Sequence, residues 1–414
     1  MSIKNQFINA AERIGYHICE RALWYKERCT WIGSNLQPVD NIYNRVDSSL
    51  GPEIYDGTSG IALFLLYLNK TITKEIHSKT IEGAINQSIS KIDNLNSSSR
   101  FGFYSGELGI TYALAKVGLE MKRSEFVEKS IEIFDKLFST INEYHLQDFI
   151  SGNAGSIPIL IQLYKEFKNN KFLELAINLG DELIYSKQSE TIGCSWGHKV
   201  NGIEQAYSNL TGFSHGAAGI VYALLKLYQI TDNKKYLDIA EQGIYYEDQW
   251  YDAYLKNWPD FRNIHEKQQS NTSFSYADAW CHGSPGIILS RLLYYEISND
   301  KKNLDMIFAV LDNILNKVKN EKYLRSNNFS LCHGIAGNCE ALIYGNCLFG
   351  KNIYKDIVIN AALYGITTYK EVELWPCGNQ LNEAQTPGLM LGLSGIGYFY
   401  LRLYDDKTPS ILAT

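Results

Sequence analysis

Two segments of this chain set metal-ligand chemistry beside glycine: Trp280-Cys281-His282-Gly283 and Leu331-Cys332-His333-Gly334. Two thiolates and an imidazole make three zinc ligands. Structural zinc sites close with four protein ligands, whereas a site that stops at three keeps a position for water or substrate, as enzymes do. The adjacent pair Cys332-His333 can reach one ion from a turn, while mid-helix the two side chains would diverge by about 100°. Cys281 and Cys332 also occupy equivalent places, each two residues before a glycine, so one zinc ion on Cys281, Cys332 and His333 is the expectation. His282 is expected to touch substrate or support the ligands instead of binding the ion. A cysteine is more often a small buried apolar side chain than a ligand, and Cys19, Cys29, Cys194, Cys339, Cys347 and Cys377 are assigned to that role.

His215 fills the slot before glycine in Phe213-Ser214-His215-Gly216, and its chemistry suits a general acid or base near neutral pH. Asp148, four residues before Gly152, is the matching acidic candidate. By itself it reads equally well as a helix cap or a surface carboxylate.

The elements that must position these residues repeat. Gly-x-x-Gly followed by an apolar run occurs seven times, at Gly57/Gly60, Gly106/Gly109, Gly152/Gly155, Gly216/Gly219, Gly283/Gly286, Gly334/Gly337 and Gly392/Gly395, with successive units 46 to 67 residues apart. Such a period marks a repeat architecture. Runs such as Gly219–Tyr228 are apolar nearly all round, as interior helices are, while the stripes Val127/Ile131/Phe134/Phe138 and Leu173/Ile177/Gly180/Ile184 belong to one-sided helices with a wet face. The alternation predicts an all-α fold, an α/α toroid of seven inner and seven outer helices, with an open solenoid as the competing arrangement. A single domain over residues 1–414 is expected, with a lead-in over about 1–50. Aromatic-rich intervals at about 186–213 and 245–278 lack helical periodicity and are expected as irregular or short β insertions on the rim, where long loops are often functional.

The chain has 414 residues, 45% hydrophobic and 20% charged, and a net charge of −6, which leaves no basic footprint for nucleic acid. Eight cysteines are too sparse for a disulfide scaffold. No segment reads as a signal peptide or a transmembrane span, so a cytoplasmic protein with reduced thiols is expected.

Together Ser214-His215-Gly216, Trp280-Cys281-His282-Gly283-Ser284-Pro285-Gly286, Cys332-His333-Gly334 and Pro387-Gly388-Leu389-Met390-Leu391-Gly392-Leu393-Ser394-Gly395 resemble the lanthionine synthetase C-like cyclases, over about residues 50 to 405. The resemblance implies an α/α toroid with one central zinc on Cys281, Cys332 and His333, and acid–base roles for His215 and Asp148. It implies addition of a peptide cysteine to dehydroalanine or dehydrobutyrine, giving a thioether ring. Such a chain is too short to hold a dehydratase as well, so the implied partners are a dehydrated precursor peptide, a separate dehydratase and an exporter, with membrane association through that complex. One departure stands out: stand-alone members carry an arginine four residues before the first zinc cysteine, where this chain has Ala277, and Arg262 is the candidate substitute. Two other readings use the same ligands: a thiol alkyltransferase of the protein prenyltransferase kind, and a non-catalytic scaffold that binds thiols such as glutathione.

Overall fold

In the computed structural model, which describes all residues except 1, 40–41, 198, 201–202, 205–207, 263–273, 380–384 and 414, the repeats fold as helical hairpins. Helix α1 (Ile3–Glu20) is followed by the pairs α2 (Thr58–Thr71) and α3 (Glu75–Lys91), α4 (Glu107–Glu120) and α5 (Ser124–Phe138), and α6 (Asn153–Phe167) and α7 (Asn170–Ser186). Next come α8 (Ala217–Thr231) with α9 (Lys234–Asp248), α10 (Ser284–Ser298) with α11 (Leu304–Lys319), and the short α12 (Glu321–Ser326). The pair α13 (Ile335–Phe349) and α14 (Asn352–Thr368) and a last helix α15 (Leu393–Tyr404) complete the order.

The seven helices that start at the glycine units, α2, α4, α6, α8, α10, α13 and α15, form an inner ring. Each packs on the next, and α15 returns to pack on α2. Their sequences allow nothing else: α2 is buried without interruption from Thr58 to Leu68, and α8 from Ala217 to Leu225. Outside them lie α3, α5, α7, α9, α11 and α14, and α1 packs on α15 to make the seventh outer helix. An open solenoid has no such closing contact, so the architecture is the α/α toroid.

Local chemistry sets the hairpins. Helices α6 and α8 stop at the left-handed residues Lys168 and Asp232, both at φ 54°, whose N–H groups bond the carbonyls of Tyr164 and Tyr228. The following Asn169 and Asn233 then cap α7 and α9 by accepting from the N–H of Lys171 and Lys235.

At the glycine heads the ring closes through the backbone. The N–H of Tyr55 donates to Tyr104 O (2.8 Å), Tyr104 to Ile150 O (3.3 Å), Ile150 to Ser214 O (3.3 Å) and Ser214 to Cys281 O (3.0 Å). Cys281 donates to Cys332 O (3.2 Å), Cys332 to Met390 O (2.9 Å), and Met390 back to Tyr55 O (2.7 Å). Each of these residues stands five positions before the second glycine of its unit. That glycine is demanded by the approach of helix to turn: a Cβ on Gly286 would lie 1.8 Å from Trp280 O, and one on Gly337 1.9 Å from Leu331 O.

The axis of the ring is packed core. Tyr104, Phe149, Phe213 and Trp280 are buried against one another with centroids 4.5–6.5 Å apart. The C-terminal segment is drawn in with them: Tyr104 Oη–H donates to Ile411 O (2.7 Å) and Trp280 Nε1–H to Leu412 O (3.2 Å).

Some expectations need correction. The buried face of α5 is Phe126, Ser130, Ile133, Phe134 and Leu137, and that of α7 runs through Phe172, Leu175, Ala176, Leu179, Gly180 and Leu183. Both predicted stripes are thus offset to one flank, and Ile131 is exposed. These helices carry more apolar residues than one stripe needs, so spacing alone admits two neighbouring stripes. Cys347 is exposed, not buried, because it lies near the end of α13 where that helix emerges from the core. The lead-in carries elements of its own: beside α1 it holds the hairpins β1 (Leu23–Tyr25) with β2 (Arg28–Thr30) and β3 (Ile32–Val39) with β4 (Ile42–Ser49). The first rim interval contains two minimal hairpins, β5 (Gln188–Ser189) with β6 (Cys194–Ser195) and β7 (Lys199–Val200) with β8 (Ile203–Glu204). The second holds isolated bridges, Asp252 to Asn257 and Asp260 to Ser275. Parts of both intervals, including His198 and residues 263–273, lie outside the described residues.

Candidate metal centre

Because Cys281 and Cys332 are neighbours in the backbone ring, their side chains leave adjacent turns at matching positions. Cys281 Sγ, Cys332 Sγ and a ring nitrogen of His333 lie within 4.8 Å of one another, and among the described residues these three form the one such group. Tetrahedral zinc with bonds of about 2.0–2.3 Å needs donors about 3.5–4 Å apart, so small side-chain movements suffice. His333 Nε2–H donates to Gly378 O at 2.6 Å, which leaves Nδ1 as the nitrogen available to an ion. An imidazole fixed through its second nitrogen is the usual arrangement of a metal-binding histidine. The donor set therefore fits zinc.

The electrostatics favour thiolate at Cys281 and oppose it at Cys332, which its bond to Cys281 and then burial push well up. A hydrogen bond from Cys332 draws the Cys281 thiol well below the ordinary range against the opposing effect of burial, with the charges of His333 and Arg262 adding to it. Burial depresses His333, but its bond and attraction to Cys281 outweigh that and leave its pKa raised.

The fold also brings Asp148 and His215 together. His215 Nδ1–H donates to Asp148 Oδ2 at 3.1 Å, while Asp148 Oδ1 accepts from the N–H of Ser151 at 2.6 Å. Asp148 is buried, which removes the surface-carboxylate reading. Burial alone lowers the pKa of His215, yet the charge and hydrogen bond of Asp148 more than offset it, and the net shift is upward. His282 is turned to Ser214, whose Oγ lies 3.1 Å from its Nε2, with its ring 5.8 Å from that of His215.

At Ala277, where the resemblance would put arginine, there is only a methyl group, and the carbonyl accepts from Asn257 Nδ2 at 2.9 Å. Arg262 supplies a cation from the rim loop. It is forked on Asp260 (Nε to Oδ1 3.0 Å, Nη2 to Oδ2 2.6 Å), and its charge acts on Cys281, Cys332, His215 and His333.

A buried polar frame ties these pieces together. Glu247 Oε1 accepts from Gly212 N–H (3.0 Å) and Ala218 N–H (3.1 Å), on either side of His215, and Arg291 clamps its other oxygen at 2.7 Å. Thr211 Oγ1–H donates to Pro259 O at 2.6 Å, and Asn257 Oδ1 accepts from Ser284 N–H at 2.7 Å, so the loop bearing Arg262 is pinned to both the His215 and the Cys281 turns. Beside His333 opens a cavity of about 660 Å³ lined by Asn327, Asn328, Trp375, Cys377, Asn379 and Gln385, in the size range of ligand pockets.

Two residues escaped the sequence reading. Tyr55 Oη lies 2.9 Å from Cys332 Sγ. Asp56, at the place equivalent to His215 and His333, is pushed up to about 8 by burial and then by Glu53, and it accepts from Thr386 Oγ1 (3.2 Å). Counting back from Gly60 as from Gly286 and Gly337 aligns Tyr55 with both cysteines, so repeat register was the available signal.

Fold and site define an α/α toroid with three candidate metal donors gathered at adjacent glycine heads. The sequence model of the lanthionine synthetase C-like proteins matches residues 48–413, and the chain belongs to that family. It is 27% identical over 387 residues, 91% of its length, to the lacticin 481/lactococcin biosynthesis protein of Lactococcus lactis subsp. lactis, but spans only 38% of that relative's length. Among solved structures, nisin cyclase superposes with a TM-score of 0.66 at 18% identity, covering 86% of this chain and 89% of that one. A GH76 α-mannanase from Bacteroides thetaiotaomicron gives a TM-score of 0.51 at 12% identity, covering 97% of this chain and 96% of that one. These two likenesses show the fold. Among the described residues no helix is long and apolar enough to cross a membrane.

Proposed function

We propose that this protein is a zinc-dependent cyclase that adds cysteine thiols of a ribosomal peptide to dehydroalanine or dehydrobutyrine in the same peptide, forming lanthionine and methyllanthionine rings. The observation that carries the reading is the convergence of Cys281, Cys332 and His333 at a partly open site, in a chain of this family. Those three residues would hold one zinc ion, which when bound supplies the Lewis acidity that brings a thiol of pKa ~8.5 into its thiolate form near neutral pH.

The chain's own residues supply the proton chemistry. As the S–C bond forms at the β-carbon, the Cα=Cβ π bond breaks and its electron pair passes to the α-carbon and carbonyl as an enolate. The α-carbon must then gain the proton that the thiol has lost. Asp148 holds His215 Nδ1 as N–H, which leaves Nε2 to pass that proton. The guanidinium of Arg262, fixed by Asp260, offsets negative charge gathering beside the two sulfurs.

The whole of residues 1–414 is proposed to act as one domain in the cytoplasm, on peptide dehydrated by a separate protein, with an exporter to follow and membrane contact through that complex. The test is to incubate zinc-loaded protein with a dehydrated precursor and count free thiols by alkylation and mass spectrometry. Ring formation lost together with zinc in Cys281→Ala or His333→Ala is expected; full activity without zinc would sink the metal role. Prenylation from an isoprenoid diphosphate, or binding without ring closure, would favour the two rival readings.

A further inference from the structure

Of the five residues in the backbone ring that are not themselves candidate ligands, Tyr55 is the one whose side chain is hydrogen-bonded to a ligand candidate. It sits two steps from Cys332, with Met390 between: Cys332 N–H donates to Met390 O, and Met390 N–H donates to Tyr55 O at 2.7 Å. The other side of Tyr55 is held too, its N–H on Tyr104 O at 2.8 Å. With both backbone groups engaged, the phenol is aimed and not merely nearby, and its O–H donates to Cys332 Sγ at 2.9 Å. Sulfur is larger than oxygen, so a separation inside the ordinary O–H···O range of about 2.5–3.0 Å marks a close, directed contact. Among the described residues no hydroxyl makes the same bond to Cys281 Sγ.

We propose that Tyr55 is a positioning residue of the metal centre, whose hydroxyl bonds the Cys332 sulfur and draws electron density from that ligand. The proposal rests on the metal site described above, but not on the reaction assigned to it. Hydrogen bonds to ligand atoms tune a metal as surely as the ligands do. Two thiolates already neutralise a dication, and a substrate thiolate would leave the cluster with net negative charge in a poorly solvated place. A donor on one ligand sulfur draws off part of that charge, so the third sulfur can be accommodated. Tyr104, the ring neighbour of Tyr55, has its hydroxyl on Ile411 O instead and provides an internal control.

The experiment uses the full chain with cobalt(II) in place of zinc and reads the thiolate-to-cobalt charge-transfer band, which reports the electron density on the ligand sulfurs. Tyr55→Phe keeps the ring and removes the hydroxyl, so the band should move to longer wavelength, while Tyr104→Phe should leave it in place. Should Tyr55→Phe fold poorly, a ring-fluorinated tyrosine at position 55, kept protonated, is a stronger donor of almost the same shape and should move the band to shorter wavelength. Cobalt bound with an unmoved band in both position-55 variants overturns the role of Tyr55 and leaves the cyclase reading standing. A wild-type chain that binds no cobalt at all overturns the metal site and this inference with it. A shifted band in a protein that forms no rings upholds Tyr55 and counts against the cyclase.

Discussion

The turn before Gly106 and the turn before Gly334 have almost the same backbone and opposite contents. Gly106 sits at φ −114°, ψ 179° and Gly334 at φ −117°, ψ −174°, each at the head of an inner helix. Both turns pass a hydrogen bond to the next unit. In the first, Tyr104 sends its hydroxyl into the core to hold the C-terminal segment; in the second, Cys332 and His333 face Cys281 and assemble a donor set. The toroid is thus held by glycines, backbone and apolar helices, while the chemistry is decided by one or two side chains per turn. Stability and activity should separate accordingly.

Cys332→Ala is the strongest test of that separation. It should abolish zinc binding and ring formation while the metal-free variant unfolds at nearly the denaturant concentration of the metal-free parent; metal analysis and an unfolding curve decide it. The contrasting case is Arg291→Met, which removes none of the candidate donors but frees Glu247 from its clamp. Breaking a buried ion pair typically costs about 3–5 kcal/mol, and here it should appear as a lowered unfolding midpoint together with slower turnover, because Glu247 holds the turn of His215. If turnover falls but stability does not move, the frame is not what supports that turn.

Between these extremes lies His215→Asn, expected to keep its zinc and lose roughly 10²–10⁴-fold in cyclisation rate, the usual worth of a general acid or base. Smallest is Asp148→Asn, which leaves His215 without its counter-charge. Burial and the charge of Arg262 then outweigh the remaining attraction of Cys281, so the pKa of His215 should fall, as an NMR titration would show. The sign for stability follows from the raised pKa of His215: the attraction to Asp148 stabilises the fold fully below the unfolded pKa and fades as pH rises through the folded one. Parent and variant should therefore differ more in stability at mildly acidic than at alkaline pH.

Much of the toroid was legible because its units repeat: a glycine pair and an apolar run recur seven times, and inner helices betray themselves by being apolar all round. The convergence of Cys281, Cys332 and His333 was legible for the same reason, since the two cysteines hold equivalent places. The outer stripes were placed to one side because α5 and α7 offer surplus apolar residues, and which of them faces inward depends on the helix it meets. Tyr55 went unseen because tyrosine is an ordinary core residue, and only its register set it apart. The hairpin β3–β4 carries no strong turn signal that distinguishes it from loop.

By itself the sequence determined the number of units, the character of each helix and the kinds of candidate donor, because those are local properties carried by periodicity and residue type. The tertiary structure alone decided that α1 would close the ring on α15, that His215 would meet Asp148 across 67 residues, and that Tyr55 would reach Cys332 across 277. The reason is the cyclic order of the heads: the ring sets successive heads side by side, as with Asp148 and His215, and its closure makes the first and last units neighbours, and neither can be read from any one repeat.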